Sequence, residues 1–349
     1  MHFIHKKTIM KLYYWHKEVP FKYPFTISNG RTKTHQSTLI VALQLGNYIG
    51  FGEAAAISYY DVRVEDMIAK IEEKKIFIEK FALTEPERYW HYLHHLLPDY
   101  PFLVAALDIA CWDLYGQMKG KLLYELWDNK WVETPLTDYT IGIDTFENMV
   151  LKLKEKPWPI YKVKVGSEDD IKLIEALRRE TTSKIRVDAN GGWTLEEALA
   201  KIPILKDLGV ELIEQPLAKD NWEGMKVLFN QSSVPLIADE SCVFEKDVSS
   251  CINFFHGINI KLTKCSGITP AIRMVKQARA LGLKVMMGCM NETSIGCAAI
   301  ANFLPQLDYV DMDGPLLHVE DFAIGLEYRD GSVVIKGKAG LGIRPTFLS

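Results

Sequence analysis

The residues that could do chemistry recur at nearly constant intervals along the second half of this chain. Lys164, Asp188, Glu214, Asp239 and Lys261 follow one another at intervals of 24, 26, 25 and 22 residues. Each interval is the length of one strand plus one helix, and each residue ends a short apolar segment. In a barrel of alternating strands and helices, the carboxyl ends of the strands meet on one rim. The spacing therefore predicts that five charged side chains converge there.

Three of these residues, Asp188, Glu214 and Asp239, are carboxylates on successive predicted strands. Buried together, they would repel one another unless a positive charge lay between them. Oxygen ligands without His or Cys select a hard divalent cation, so we expect Mg²⁺ here, with Mn²⁺ as an acceptable substitute. A helix cap or a surface salt bridge could explain each acid taken singly. Independent caps, however, need not keep a strand–helix period.

The segment Lys162-Val163-Lys164 places two lysines on one face of a strand, because residues two apart in a strand point the same way. Burial and mutual repulsion should lower the pKa of at least one ammonium and make it a base near neutral pH. The alternative is an edge strand protected by lysines. Lys261 should reach the acids from the other side. Beside a divalent cation, such lysines could move a proton next to a carboxylate.

The elements that must position these residues are visible in the hydrophobic pattern. A β-hairpin region and helices at Val64–Phe81, Glu85–Leu97 and Pro101–Lys119 come first. From about residue 136, short strands alternate with amphipathic helices, which predicts a closed parallel barrel. An open doubly wound sheet is the alternative, but no G-x-G-x-x-G follows the first strand. The predicted strands are Thr137–Gly142, Ile160–Val165, Ile185–Val187, Leu212–Glu214, Leu236–Ala238, Gly257–Lys261, Lys284–Met287 and Tyr309–Val310.

The bulk composition excludes several classes of function. The 349 residues are 48% apolar and 25% charged, as in an ordinary globular protein. The net charge of −4 argues against a nucleic-acid or anionic-membrane partner, and no apolar run is long enough to span a bilayer. The N-terminus lacks the pattern of a secretory signal, and the six cysteines form no C-x-x-C pair. We therefore expect reduced thiols and a cytoplasmic location.

The motifs Lys162-x-Lys164, Asp188-Ala189-Asn190, Glu214-Gln215-Pro216, Asp239-Glu240-Ser241 and Lys261 together resemble the enolase superfamily, in its muconate-lactonizing-enzyme-like subgroup. The resemblance covers nearly the whole chain. It implies an α/β fold, a modified TIM barrel (β/α)7β with an α+β capping domain. The implied parts are an N-terminal capping domain at residues 1–130, the barrel with its site at 131–315, and a C-terminal segment at 316–349 that packs back on the capping domain.

The same resemblance implies roles for the charged residues. Asp188, Glu214 and Asp239 would be the metal ligands, and Lys164 and Lys261 the acid/base pair. Lys162 would tune Lys164 and contact the carboxylate of the substrate.

A second motif, Asp311-Met312-Asp313, ends the eighth predicted strand and resembles the D-x-D signature of dipeptide epimerases. In that group the two acids bind the free amino group of the substrate, which lies about one residue from its carboxylate. A turn or helix cap before Gly314-Pro315 is the alternative. The segments around Thr137 and Met290 also resemble that group, so both residues are expected to contact substrate. Arg31 lies in the loop whose arginine meets a substrate glutamate in the Ala-Glu enzymes.

The resemblance thus implies an isomerase, a Mg²⁺-dependent dipeptide epimerase. It would transfer a proton between two lysines at the C-terminal residue, through an enediolate. The implied substrate is L-Ala-D/L-Glu or a related dipeptide of cell-wall peptide metabolism. An o-succinylbenzoate synthase or cycloisomerase of the same subgroup is the alternative, and it offers no ammonium to Asp311 and Asp313. The complete set of acids and lysines disfavours a non-catalytic metal-binding scaffold. Many family members form homo-oligomers, which the resemblance leaves open for this chain.

Overall fold

The computed structural model of the protein describes residues 9–26 and 32–348. The N-terminal elements are a three-stranded antiparallel sheet and the helices that cover it. Helix α3 packs so closely on the sheet that a Cβ at Gly52 would lie 2.0 Å from the Ala106 carbonyl oxygen. The elements are β1 (Lys11–Thr26), β2 (Thr32–Leu45), β3 (Tyr48–Ala55), α1 (Val64–Lys80), α2 (Pro86–Leu96), α3 (Pro101–Lys119) and α4 (Leu123–Leu126).

Eight parallel strands follow in strict sequence order and form one sheet. A parallel bridge between Thr137 and Val310 joins its two ends and closes it into a barrel. The strands are β4 (Tyr139–Ile141), β5 (Ile160–Lys164), β6 (Lys184–Asp188), β7 (Val210–Glu214), β8 (Leu236–Ala238), β9 (Gly257–Ile260), β10 (Lys284–Gly288) and β11 (Tyr309–Asp311). All eight lie where the sequence predicts them.

Helices form the outer layer, as the amphipathic pattern predicts. The connection between β8 and β9 is an exception, since a 3-10 turn at Glu245–Cys251 takes the place of an α-helix there. The helices are α5 (Phe146–Glu155), α6 (Asp170–Glu180), α7 (Leu195–Asp207), α8 (Trp222–Gln231), α9 (Ile268–Ala280), α10 (Ser294–Ala301) and α11 (Gly314–Leu317).

The interior of the barrel explains why the charged side chains converge. Leu212, Ile237 and Met286 form a small apolar cluster, with Tyr309 packed against it, apart from the larger core between strands and helices. Side chains alternate along a strand, so the residue two positions later points the same way, one layer nearer the carboxyl end. Those later positions are Glu214, Asp239, Gly288 and Asp311.

The C-terminal segment returns to the N-terminal sheet. Ala323 packs in one cluster with Ile40 and Phe51, and the rings of Trp15 and Phe347 meet edge to face at 5.1 Å. Its short strands are β12 (Ala323–Ile324), β13 (Leu326–Arg329), β14 (Ser332–Ile335) and β15 (Arg344–Pro345).

The fold class is therefore α/β, a modified (β/α)7β barrel with an α+β capping domain, as predicted. The domain boundaries at residues 130 and 315 stay a prediction. All six cysteines are buried free thiols. In residues 9–26 and 32–348, no helix combines the length and the hydropathy needed to cross a membrane.

His318 ties the C-terminal segment to β1 and gives the fold a pH-dependent contribution. It is 2% exposed, bridges to Phe21, and neither ring nitrogen has a hydrogen-bond partner among the described residues. Burial, with repulsion from Lys22, lowers the pKa of His318 to about 4 from its usual 6.5. The unfolded chain therefore takes up this proton at a higher pH than the folded protein does. Folding stability falls as the pH falls from about 6.5 to about 4.

We expect His318→Phe, which keeps a ring against Phe21, to remove this loss. Between pH 7 and pH 4.5 the wild type should lose about 2 kcal/mol more free energy of unfolding than the variant. Urea unfolding at both pH values measures the difference. Equal losses in the two proteins would contradict the assignment to His318.

Candidate active site

The lysines of β5 and the acids of β6 and β7 lie at one height in the barrel mouth. The strand register pairs Lys164 with Asp188, and Asp188 with Glu214. Lys164 Nζ donates to Asp188 Oδ2 at 2.5 Å and to Asn190 Oδ1 at 3.4 Å. All these charged side chains are buried. The predicted convergence on one rim is present for this half of the site.

The other half is built on β8 and β9. Asp239 and Lys261 each follow the last residue of their strand, and Lys261 Nζ donates to Asp239 Oδ2 at 2.8 Å. Lys264 lies fully buried behind them, and its Nζ donates to Asp239 Oδ1 at 2.5 Å and to the Asp239 carbonyl at 2.6 Å. Asp239 is thus held between two ammonium groups, and their charges, acting against burial, keep its pKa well below the usual range.

Lys162 joins the two ends of the site. Its Nζ lies 3.0 Å from Asp188 Oδ2, 2.7 Å from Glu214 Oε2 and 2.7 Å from Asp311 Oδ2. The sequence argument expected a lowered pKa for at least one lysine of the pair, and Lys162 is not that lysine. Burial acts to lower its pKa, but the carboxylates, Asp311 first, outweigh burial and raise the pKa well above its usual value.

The chemistry of the donor set suits a hard divalent cation, although the ligand atoms of the three acids do not all lie within 4.8 Å of one another in the described residues. Asp188, Glu214 and Asp239 offer only oxygens and are at most 2% exposed. Glu214 Oε2 has no hydrogen bond, although the Lys162 ammonium lies close by, so a positive charge already sits between Glu214 and Asp188. Burial would raise the pKa of Asp188, but Lys164 and Lys162 lower it to about 2. Asp188 and Asp239 are therefore charged, whereas burial and repulsion from Asp188 raise the pKa of Glu214, and a bound cation would oppose that rise.

Asp311 and Asp313 form a second anionic group, at the end of β11. Asp313 Oδ2 accepts a hydrogen bond from Thr140 N at 2.5 Å. Burial and repulsion from Asp311 raise the pKa of Asp313 to about 7, whereas Lys162 offsets burial and lowers the pKa of Asp311. With Cys289, these acids are the one trio of candidate metal ligands whose atoms lie within 4.8 Å of one another in the described part of the chain. A cation, organic or inorganic, is the natural partner for them.

The barrel mouth opens into a pocket of about 170 Å³ that both halves of the fold line. Met290 and Asn291 line it from the barrel, and the substrate contact expected of Met290 stays a prediction. Phe25, Lys33 and the Tyr59–Tyr60 pair line it from the N-terminal elements. Arg31 lies outside the described residues, so its proposed contact stays a prediction.

The predicted substrate contact of Thr137 is wrong for this structure. Thr137 is fully buried and absent from the pocket lining in the described part of the chain. Its hydroxyl accepts from Met312 N at 2.9 Å and donates to the Asp138 carbonyl at 3.3 Å, so it holds the closure of the barrel. The residue of this segment that lines the pocket is Thr140.

Sequence reasoning missed two polar residues that orient the charges. Asn259 Nδ2 donates to Glu214 Oε1 at 2.8 Å. The signal was available, because Asn259 stands two positions before Lys261 in the predicted strand Gly257–Lys261 and would share its face. Glu240 Oε1 accepts a hydrogen bond from Asn190 Nδ2 at 3.3 Å. Burial and repulsion from Asp239 raise the pKa of Glu240 to about 7.

Comparison with known families settles the wider relationship. A family model described as enolase C-terminal domain-like matches residues 146–347, more than half of the chain. The chain belongs to the enolase superfamily. The match spans the barrel of this superfamily member from α5 onward and includes all three acids and both strand-end lysines.

Individual relatives narrow the comparison. A protein of Flavobacterium johnsoniae named L-Ala-D/L-amino acid epimerase is 47% identical over 334 residues, which cover 96% of this chain and 99% of the relative. The substrate-liganded L-Ala-D/L-Glu epimerase of Bacillus subtilis superposes with a TM-score of 0.90 at 30% identity, over 96% of this chain and 98% of that one. The dipeptide epimerase of Cytophaga hutchinsonii complexed with Mg and D-Ala-L-Val superposes with a TM-score of 0.89 at 26% identity, over 97% and 96%.

The acid set predicts cation affinity that can be measured directly. We expect Asp188→Asn to weaken Mg²⁺ binding by about tenfold or more, because it removes one anionic oxygen ligand and leaves two ammonium groups beside the site. Isothermal titration calorimetry measures the affinity. Asp169→Asn, at an exposed acid before α6, is the matched control and should bind Mg²⁺ like the wild type. Wild-type affinity in Asp188→Asn would contradict the ligand assignment.

Proposed function

We propose that this protein is a Mg²⁺-dependent dipeptide epimerase. One observation carries the proposal: two lysines, on strands that flank the acid cluster, each pair with one of its acids. Lys164 reaches the cluster from β5 at Asp188, and Lys261 reaches it from β9 at Asp239. A reaction with one base needs only one of these lysines, whereas inversion at a carbon needs a proton donor and an acceptor on opposite faces.

The charges of the site suit the two ends of a dipeptide. Asp188, Glu214 and Asp239 would hold Mg²⁺, which supplies Lewis acidity that stabilises negative charge on the substrate carboxylate when the α-proton leaves. Lys162, among these acids, would contact the same carboxylate. Asp311 and Asp313 would receive the free ammonium of the substrate, with charge-assisted hydrogen bonds fixing its orientation.

The two lysines would divide the proton transfer between them. The neutral one takes the α-proton of the C-terminal residue, which leaves an enediolate, and the protonated one returns a proton to the opposite face. We assign one enantiomer to Lys164 and the other to Lys261. Asn190 Oδ1, 3.4 Å from Lys164 Nζ, and Asp239 Oδ2, 2.8 Å from Lys261 Nζ, keep the two nitrogens aimed at the pocket.

The pocket wall supports small dipeptides as substrates. Phe25, Ile57, Tyr59 and Tyr60 line it from the N-terminal side, and such apolar walls would strengthen the charge interactions inside. Met290 would contact the dipeptide, and Arg31 would meet an acidic side chain. The names of the relatives favour L-Ala dipeptides, with L-Ala-D/L-Glu of cell-wall peptide metabolism as the first candidate.

The setting of this activity is also proposed. The buried free thiols favour a cytoplasmic enzyme. The resemblance to the family favours a homo-oligomer.

Solvent deuterium tests the reaction. Incubation with Mg²⁺ and L-Ala-L-Glu in D₂O should place deuterium at the α-carbon of the C-terminal residue as its configuration is scrambled, and NMR follows both changes. Lys164→Ala and Lys261→Ala should each lower the epimerisation rate at least about 10²-fold, because each removes one proton-transfer group. Lys172→Ala, at an exposed lysine of α6, is the control. A product that keeps its original hydrogen would refute the two-base scheme.

The D-x-D pair separates an epimerase from an o-succinylbenzoate synthase. Asp311→Asn should raise KM for L-Ala dipeptides about tenfold or more, because a charge-assisted hydrogen bond to the ammonium is lost. For a substrate without an ammonium, such as N-succinyl-glutamate, the wild-type aspartate should give no lower KM than the asparagine. Steady-state kinetics on both compounds gives the comparison. If Asp311→Asn left dipeptide turnover intact while a succinylbenzoate precursor was consumed, the epimerase assignment would fail.

A further inference from the structure

A buried carboxylate of the N-terminal sheet is hydrogen-bonded to the barrel at a point away from the acids and lysines of the candidate active site. Glu53, on β3, is fully buried, and its two oxygens accept hydrogen bonds from the start of helix α10. Thr293 N lies 3.0 Å from Oε1 and 3.1 Å from Oε2, Thr293 Oγ1 lies 2.7 Å from Oε2, and Gly296 N lies 2.9 Å from Oε2. Thr38 Oγ1, on the neighbouring strand, donates to Oε1 at 2.9 Å.

The segment that Glu53 fixes is the loop Cys289–Thr293, which joins β10 to α10. Two of its residues, Met290 and Asn291, line the pocket. Thr293 is both the last residue of this loop and the N-cap of α10, since its hydroxyl accepts from Ile295 N at 3.3 Å. The hydrogen bonds from Thr293 to Glu53 therefore fix the end of the loop that forms the pocket wall.

The opposite side of the loop has no room to move away. A Cβ at Gly314, just after the D-x-D pair, would lie 2.2 Å from the Glu292 carbonyl oxygen. At the start of the loop, Cys289 N donates to the Asp311 carbonyl at 2.8 Å. Asn291 is held at a φ of 62°, in the left-handed region. The loop is confined between the D-x-D strand and the N-terminal sheet, and the Glu53 contact is the part that the sheet supplies.

A carboxylate suits this contact better than a neutral side chain. Several donors converge on two oxygens, and an amide has only one oxygen to accept them. Burying a charged group is unfavourable unless its hydrogen bonds are complete, and here burial raises the pKa of Glu53 while the bonds from Thr293 and Gly296 oppose that rise. An apolar residue there would leave the buried donors of Thr293 and Gly296 without this acceptor, so the contact fixes where the start of α10 lies.

We propose that Glu53 is a positioning residue that sets the side-chain selectivity of the pocket, by fixing the loop that presents Met290 and Asn291 to the substrate. The proposal rests on the proposed epimerase function of this site. Glu53 touches neither the metal ligands nor the lysines, so its effect should fall on binding of dipeptide side chains and leave proton transfer and Mg²⁺ affinity in place.

The test compares Glu53→Gln with the wild type on two dipeptides that differ only in the C-terminal side chain, L-Ala-L-Glu and L-Ala-L-Leu. We expect the ratio of their kcat/KM values to change about tenfold, mainly through KM, with Mg²⁺ affinity within about twofold of wild type. Thr293→Val removes the hydroxyl that donates to Glu53 and caps α10, keeps the backbone donor, and should shift the ratio in the same direction. Thr293→Ser keeps that donor and should restore the wild-type ratio.

A change of kcat/KM by the same factor for both dipeptides would overturn the proposal, because a merely structural role moves both equally. If Glu53→Gln does not fold, Thr293→Val against Thr293→Ser decides alone, and an unchanged ratio in both also overturns it.

Hydrogen–deuterium exchange separates this proposal from the proposed function, since it needs no catalysis. Amides of Thr293 and Gly296 should exchange faster in Glu53→Gln than in the wild type, while amides of the distant helix α6 should not change. Unchanged exchange at Thr293 and Gly296 would show that Glu53 does not hold the loop. If exchange were faster in Glu53→Gln but the wild type epimerised no dipeptide, the proposed function would be wrong. The conclusion that Glu53 fixes the loop would still stand.

Discussion

The concentration of buried charge at one end of the barrel is the constraint on which the rest of the structure depends. Isolated charges in a protein interior cost several kcal/mol each, so every acid here must meet a cation at short range. The pairs can form only if strands from separate parts of the chain end at the same height, which the parallel register of a closed barrel provides. The group comprises Asp188, Glu214, Asp239 and Asp311 with Lys162, Lys164, Lys261 and Lys264.

The same pairs that stabilise the barrel mouth make it responsive to ligands. Lys162 contacts Asp188 and Glu214 on one side and Asp311 on the other, so it balances two anionic groups with one charge. Under the proposed function, a divalent cation beside Asp188 and Glu214 would repel this ammonium, and a substrate ammonium at Asp311 would compete with it. Each ligand would therefore weaken the contacts that Lys162 makes with these acids.

Much of this arrangement follows from the sequence because it depends on local periods. Strand ends, the 22- to 26-residue spacing and the two faces of β5 are properties of single segments, and the structure agrees with them. The errors concern what lies across the barrel. The direction of the Lys162 pKa depends on acids from three other strands, and the placement of Thr137 depends on the closure with β11. The pocket residues of the N-terminal elements, such as Phe25 and Tyr59, carry no periodic signal at all.

The loop Cys289–Thr293 shows how the separate parts become one site. Its first residue follows Gly288, where a Cβ would lie 3.1 Å from Lys261 Cε, and its last residue is bound by Glu53 of the N-terminal sheet. Between them, Met290 and Asn291 face the pocket. Lys261, the strand of Asp311 and Asp313 and the N-terminal sheet thus all lie against residues 288–293. Under the proposed function, the barrel would supply the proton transfer and the capping elements the selectivity, and this short segment with the capping side chains would connect the two.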